Sequence, residues 1–157
     1  MNNHDRFYRK NKDRLFAYLL RMTGDYHLAC DLVQESFTRY LKNYNSINNR
    51  TLLYTIARNA ALDVIRKQKT ELLDTRDYED PSKNPESQVM DRQSFNLLLK
   101  AIRQLETPYR ELISLVANAD LTYREIGSVL NISEANVKVR VHRARMKLRK
   151  ILDAGDK

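Results

Sequence analysis

The stretch LTYREIGSVLNISEANVKVRVHRAR, from Leu121 to Arg145, predicts two helices joined by a tight turn. Thr122 and Glu125 have the T-x-x-E spacing of a capping box, in which each side chain accepts a hydrogen bond from the other residue's backbone N–H. Asn131 suits the left-handed position that ends a helix, and Ser133 suits the N-cap of the helix that follows. The residues next to the turn therefore determine where the first helix ends and where the second begins.

The second of these helices has one apolar face and one basic face. Four residues recur at spacings of four, three and four and form a stripe that we expect to be buried: Val137, Val141, Ala144 and Leu148. The residues largely off this stripe are Lys138, Arg140, His142, Arg143 and Arg145. A capped helix, a tight turn and a basic helix are the parts of a helix-turn-helix that enters the DNA major groove. The spacing of these residues is also compatible with an ordinary helical hairpin whose charged face is exposed to solvent and binds no DNA.

The charge of the chain is divided into blocks. The formal net charge is +8, which favours a polyanionic partner. Counting side chains gives +7 for residues 1–70, −4 for residues 71–93 and +5 for residues 94–157. Two basic blocks around an acidic segment that contains proline predict two nucleic-acid-facing domains on a flexible linker.

Apolar residues recur at helical spacing almost throughout, and the chain has only three glycines and three prolines. We therefore predict an all-α protein of two small helical domains, the second of which contains the helix-turn-helix. Long helices are predicted at about 5–22, 26–43 and 51–69, and they could close a small bundle. The core of the second includes Leu41. Two further helices, at about 89–105 and from the N-cap Thr107 to about residue 120, precede the helix-turn-helix.

The sequence has few of the motifs that form catalytic, metal or cofactor sites. The three histidines are scattered, and no phosphate loop, zinc spacing or nucleophile elbow occurs, so we predict no catalytic residue, no metal site, no cofactor and no small-molecule substrate. Cys30, the only cysteine, is expected to be a small buried apolar residue. No apolar run approaches the ~18 residues that span a membrane, and the N-terminus lacks a signal core. These features predict a cytoplasmic protein without membrane insertion.

Three motifs occur in a fixed order around the linker: DLVQESF (Asp31–Phe37), LLYTIARNAALDVIRK (Leu52–Lys67) and the helix-turn-helix with VKVRVHRARMKLR (Val137–Arg149). In isolation the first is simply an amphipathic helix, and the second suits single-stranded nucleic acid through stacking and phosphate contact. Together they resemble a bacterial RNA polymerase sigma factor of the extracytoplasmic-function (ECF, group IV) class of the sigma-70 family. The resemblance covers nearly the whole chain.

The resemblance implies a protein that is not an enzyme. It implies binding to core RNA polymerase and promoter DNA, promoter-specific transcription initiation, and an anti-sigma factor as a further partner. The implied domains are sigma domain two at 1–69, a linker at 70–88 and sigma domain four at 89–153. Domain two would dock polymerase and recognise and melt the −10 element, and domain four would read the −35 element.

The resemblance also implies residue roles. The residues that match the polymerase-docking helix are Asp31, Leu32, Gln34 and Glu35. Those that match the base-capture loop and the −10 helix are Asn45, Asn48, Asn49, Arg50, Tyr54, Arg58, Asn59, Asp63 and Arg66. Those assigned to −35 DNA are Arg124, Ser133, Asn136, Lys138, Val139, Arg140, His142 and Arg143. Among the last group, Arg124 and Arg140 are better placed for phosphates than for bases.

Some positions depart from the family pattern, and two other functions are compatible with parts of the sequence. Leu52 stands where many relatives carry Trp, and Cys30 replaces an acidic residue that often precedes Asp31. These changes bear on the promoter sequence. A LuxR-type regulator would have a similar helix-turn-helix but would need a sensor or receiver domain, for which residues 1–70 show no alternating strands. A sigma-like decoy that binds only an anti-sigma factor would lack the basic reading face.

Overall fold

Seven helices form the part of the chain that the computed structural model describes, namely residues 2–43, 48–71, 92–117 and 120–155. They are α1 (Asn3–Thr23), α2 (Tyr26–Asn43), α3 (Arg50–Glu71), α4 (Arg92–Gln104), α5 (Thr107–Val116), α6 (Tyr123–Leu130) and α7 (Glu134–Gly155). The predicted all-α class is confirmed. Most of the predicted linker, and the loop residue Asn45, lie outside the described residues, and the proposed domain boundaries remain predictions.

Helices α1 to α3 form the first helical unit. Gly24 ends α1 in the left-handed region, at a φ of 70°, and its N–H donates to the Leu20 carbonyl over 2.7 Å. Glycine adopts this conformation without the steric cost of a Cβ, so α2 can turn back along α1. Aromatic rings fill much of the space between the helices. Phe7 stacks on Tyr40 with ring centroids 5.0 Å apart.

Helices α4 to α7 form the second helical unit, and α6 and α7 are the predicted helix-turn-helix. The capping box is present, with Thr122 and Glu125 each accepting from the other's backbone N–H over 3.1 Å. Asn131 is left-handed at φ 59° and ψ 46°. The Ser133 hydroxyl accepts from the Asn136 N–H over 3.1 Å, as an N-cap should. All three local predictions are confirmed.

The predicted stripe of α7 is also confirmed. Val137, Val141 and Ala144 are at most 2% exposed, and Leu148 packs against the same core as a partly buried residue. Gly127 of α6 allows the two helices to approach, because a Cβ there would lie 2.6 Å from the Ile132 carbonyl oxygen. The turn geometry and the apolar stripe together fix which face of α7 points to solvent.

Four local predictions are wrong. The N-cap of α5 is Glu106 rather than Thr107, and α5 ends at Val116, earlier than predicted. Leu41 is 45% exposed, because Tyr40 points into the core and the next residue is rotated by about 100° around the helix. Cys30 is exposed for the same reason, since the buried residue beside it is Ala29.

The two units pack directly against each other, which the sequence did not predict. Buried residues of both belong to one hydrophobic cluster, from Phe7 in α1 to Ala144 in α7. The contact is made by α1 and α3 on one side and by α4, α5 and α6 on the other. Arg103 of α4 lies against the α1–α2 turn, where its side chain occupies the space that a Cβ on Gly24 would need. Within the described ranges, no helix is both long and apolar enough to cross a bilayer.

Candidate polymerase and nucleic-acid interfaces

The outer face of α2 carries the predicted polymerase-docking residues. Asp31, Gln34 and Glu35 are exposed there. An open groove on this face is lined by Asp31, Gln34, Glu35, Thr38, Arg39, Lys42 and Asn43. Glu35 forms an ion pair with Arg39 over 2.5 Å, one helical turn further along. The groove therefore combines two carboxylates with amide, hydroxyl and basic groups, which suits a charged protein partner.

Leu32 differs from its neighbours on α2. It is 2% exposed and belongs to the hydrophobic core. Its carbonyl accepts from the buried Ser36 hydroxyl over 2.6 Å. Leu32 therefore anchors α2 in the core, which fixes the direction in which the docking face points. It presents almost no surface to a partner. Thr38, Arg39 and Lys42 line the same groove but were not among the predicted docking residues, although their spacing of three or four residues from Gln34, Glu35 and Thr38 predicts the same face.

The start of α3 is held by the residues assigned to base capture. Asn49 donates its N–H to the Tyr40 hydroxyl over 3.2 Å, and its side-chain oxygen accepts from the Leu52 N–H over 3.0 Å. The second contact caps α3. Asn48 adopts a φ of 67°, a conformation in which Asn is enriched among non-glycine residues. The loop residues next to α3 are thus ordered by the helix cap and by an aromatic side chain of α2.

The residues assigned to the −10 element differ in exposure along α3. Asn59, Asp63 and Arg66 are exposed at the surface of this helix. Tyr54 is only 2% exposed, and its ring meets Tyr18 edge-on with centroids 5.5 Å apart. In this arrangement Tyr54 contributes packing, and its ring is not available for stacking on a base.

Arg50 and Arg58 are held by the second unit. Arg50 donates to both carboxylate oxygens of Glu125 over 2.8 Å and to the Asp120 carbonyl over 2.5 Å. Arg58 forms an ion pair with Glu111 over 2.6 Å. The hydrogen bonds from Arg50 hold the pKa of Glu125 below its ordinary value, and those bonds also raise the pKa of Arg50. Both side chains of that pair are therefore charged at neutral pH.

The outer face of α7 carries the predicted −35 residues. The exposed members are Asn136, Lys138, Val139, Arg140, His142 and Arg143. Val139 is 49% exposed among these charged neighbours. Arg124 is exposed on α6, and Ser133 serves as the α7 cap described above. Cationic side chains around an exposed methyl-bearing residue can bind guanine edges, phosphates and the thymine methyl group in a major groove.

Two family models match the chain. Residues 7–71 match the model "Sigma-70 region 2", and residues 95–148 match "Sigma-70, region 4". The first covers most of α1 and all of α2 and α3, with all the docking and −10 residues, and the second covers most of α4, all of α5 and α6, and most of α7. The positions of the two matches agree with the two helical units.

Curated relatives match over nearly the full chain. The ECF RNA polymerase sigma factor SigM of Bacillus subtilis (strain 168) is 33% identical, over 96% of this chain and 96% of the relative. SigW of the same organism, also an ECF RNA polymerase sigma factor, is 36% identical over 90% of this chain and 84% of the relative.

Solved structures share the fold. The sigma factor RpoE of Bartonella quintana, in complex with the anti-sigma factor NepR, matches with a TM-score of 0.75 at 21% identity, over 98% of each chain. CnrH, in complex with the cytosolic domain of CnrY, has a TM-score of 0.72 at 22% identity over 96% of this chain and 88% of that one. The chain matches the models of sigma-70 regions 2 and 4 in that order, and ECF sigma factors match it over nearly its full length. This chain therefore belongs to the extracytoplasmic-function class of the sigma-70 family of RNA polymerase sigma factors.

Proposed function

We propose that this sigma factor docks on core RNA polymerase through the outer face of α2, opens the −10 element with α3 and its preceding loop, and reads the −35 element with α7. As a sigma factor it is a regulatory subunit that directs transcription initiation rather than an enzyme. The assignment of these three surfaces rests on one observation: α2, α3 and α7 each expose a face with its own set of polar and charged groups. The family assignment also leaves the LuxR-type alternative without support.

The −35 assignment is supported by how α7 is built. Its apolar stripe faces the core, so the opposite face, with Lys138, Val139, His142 and Arg143, is free to enter a groove. Arg or Lys paired to guanine is the commonest specific contact in the major groove. Arg124 and Arg140 suit phosphates, which fix the register of a protein on the duplex.

The −10 assignment is supported by the exposed polar face of α3 and the ordered start of that helix. Opening a duplex requires that an unstacked base be trapped, and the unstacking costs a few kcal/mol that a binding surface must offset. Asn48, Asn59 and Arg66 are exposed and can donate hydrogen bonds to base edges or phosphates. Asn45 belongs to this proposal by sequence, outside the described residues.

Regulation by an anti-sigma factor forms part of the proposal. The solved structures with this fold include the sigma factor RpoE in complex with the anti-sigma factor NepR, and CnrH in complex with the cytosolic domain of CnrY. The charged face of α2 offers such a partner a surface that overlaps the polymerase-docking residues, so the two would compete. We also infer a cytoplasmic location, because core polymerase and promoter DNA are found there in bacteria.

Promoter opening in the presence of core polymerase tests the α3 assignment. Arg66→Ala should slow opening of a promoter that carries 2-aminopurine in its −10 element by about fivefold or more, since a lost nucleic-acid contact costs about 1–3 kcal/mol. Capture of core polymerase should be unchanged. Lys10→Ala removes the same charge from an exposed site on α1 and is the matched control. Equal opening rates for Arg66→Ala and wild type would remove Arg66 from the −10 surface.

A further inference from the structure

The hydroxyl of Tyr40 joins the inner side of α2 to the start of α3. It accepts a hydrogen bond from the backbone N–H of Asn49 over 3.2 Å, across nine positions of sequence. A buried tyrosine usually places its O–H beside a polar partner. Here the partner is a main-chain group of the loop that precedes α3, so the tyrosine side chain fixes the backbone of that loop.

The ring of Tyr40 is held firmly in the core of the first unit. It is 0% exposed and lies almost parallel to the ring of Phe7, with centroids 5.0 Å apart and an interplanar angle of 22°. Phe7 in turn meets Phe37 edge-on at 6.2 Å. Because protein interiors are packed as densely as organic crystals, a ring with these neighbours keeps one orientation. The core therefore sets the position of the hydroxyl.

Asn49 uses its polar groups to begin α3. Its side-chain oxygen accepts a hydrogen bond from the Leu52 N–H over 3.0 Å, and its carbonyl accepts one from the Leu53 N–H over 3.2 Å. These are the contacts of an N-cap residue. With its N–H bound to Tyr40 as well, Asn49 holds the backbone in place, although the sequence grouped it with the residues that capture a base.

Asn48 is placed differently. It is exposed, and its φ of 67° lies in the left-handed region. Non-glycine residues keep such a conformation when the surrounding structure holds it. The N–H that Tyr40 binds belongs to the planar peptide group between Asn48 and Asn49, so this hydrogen bond fixes the backbone immediately after Asn48. The Asn48 side chain offers both donors and an acceptor to the edge of a base.

We propose that Tyr40 is a positioning residue for base capture at the −10 element. Its hydroxyl holds the peptide group after Asn48, which directs the Asn48 amide towards a base that has left the duplex. The inference rests on the proposed −10 function and divides the roles within it: Asn48 contacts the base, whereas Tyr40 and Asn49 contact no DNA. The docking residues Asp31 and Glu35 lie on the opposite, exposed face of α2, so they do not depend on this hydroxyl.

The variant Tyr40→Phe removes only the hydroxyl. Opening is followed with the polymerase holoenzyme on a promoter that carries 2-aminopurine in its −10 element. We expect about fivefold slower opening, the effect of one lost hydrogen bond, with unchanged capture of core polymerase. Tyr18→Phe is the matched control, because Tyr18 is also fully buried in the first unit and its hydroxyl has no hydrogen-bond partner among the described residues. It should open the promoter at the wild-type rate.

An abasic site in the DNA separates positioning from a general loss of stability. Single abasic positions are scanned through the non-template strand of the −10 element, and the position of the captured base should slow the wild-type holoenzyme most. In Tyr40→Phe the same abasic site should cost several-fold less, because the base contact is already impaired, whereas independent effects would multiply. Asn48→Gly retains access to positive φ but removes the amide, and it should also reduce the abasic effect.

Hydrogen exchange tests the bond itself without DNA. In the full chain, the Asn49 amide should exchange several-fold faster in Tyr40→Phe than in wild type, since its acceptor is gone. The rate in Tyr18→Phe should be that of wild type. NMR of the ¹⁵N-labelled protein measures this amide.

Four results would overturn the role of Tyr40. These are a wild-type opening rate in Tyr40→Phe, an abasic effect that is undiminished in that variant, a loss of core capture equal to the loss of opening, and an Asn49 amide that exchanges at the wild-type rate. If no abasic position slowed the wild-type holoenzyme, the proposed −10 function would fail and this inference with it. A wild type that is sensitive to the abasic site, combined with any of the four results, would overturn the role of Tyr40 alone.

Discussion

Reversing the charge of Asp31 and Glu35 together, to lysine, should reduce the affinity for core RNA polymerase by about a hundredfold. Both carboxylates are exposed on the outer face of α2. Placing like charges opposite each other across an interface costs several kcal/mol, and about 3 kcal/mol corresponds to roughly a hundredfold. Glu35 also holds Arg39, so the substitution adds repulsion within the groove. A pull-down with immobilised core enzyme, followed by titration, measures the loss.

A matched variant separates docking from overall charge. Asp13→Lys with Asp153→Lys makes the same change of net charge at exposed positions outside the α2 face. It should bind core polymerase as wild type does, apart from a small long-range effect that disappears at high salt. If both double variants lost affinity equally, or neither did, the docking face would have to be sought elsewhere on the molecule.

Arg143→Ala should lower the affinity for promoter DNA by about 1–3 kcal/mol, and the loss should differ between −35 sequences. Arg143 is exposed on α7, opposite the buried stripe of Val137, Val141 and Ala144. A base contact makes the loss depend on the base that is present, whereas a phosphate contact weakens all sequences equally. Binding of the polymerase holoenzyme to a panel of −35 variants measures both quantities.

Arg149→Ala is the control on the same helix. It removes an equal charge from an exposed position about 9 Å further along α7, beyond the predicted reading residues. Its effect should be smaller and uniform across the panel. A uniform loss for Arg143→Ala would assign that side chain to phosphate, and the specificity would then rest on Lys138, Val139 and His142.

The helix-turn-helix could be predicted in detail because its determinants are local. The Thr122–Glu125 capping box, the left-handed Asn131 and the Ser133 cap are all set by residues within a few positions of each other. The apolar stripe of α7 repeats at a helical period, so its buried face followed from spacing. These features fixed the exposed face, and with it the candidate −35 surface.

The contact between the two units could not be predicted in the same way. Arg50 and Glu125 are 75 residues apart, and Arg58 and Glu111 are 53 apart, so no local pattern links them. From the sequence, Arg50 was assigned to the base-capture loop and Arg58 to the −10 helix, both as residues that bind DNA. Tyr54 read as an aromatic group for stacking, but the Tyr18 ring packs against it in the core. Leu41 was misplaced because Tyr40 points into the core and Leu41 lies about 100° further around the helix.

Run-off transcription on a library of randomised promoters, with purified core polymerase, tests the central claim most directly. The account predicts that the protein directs transcripts from a subset of templates that share two elements at a fixed separation. Arg143→Ala should alter the selected bases of the upstream element, and Arg66→Ala should lower transcript yield without altering that element. Transcripts that are absent with wild-type protein, or that start without regard to promoter sequence, would contradict the account.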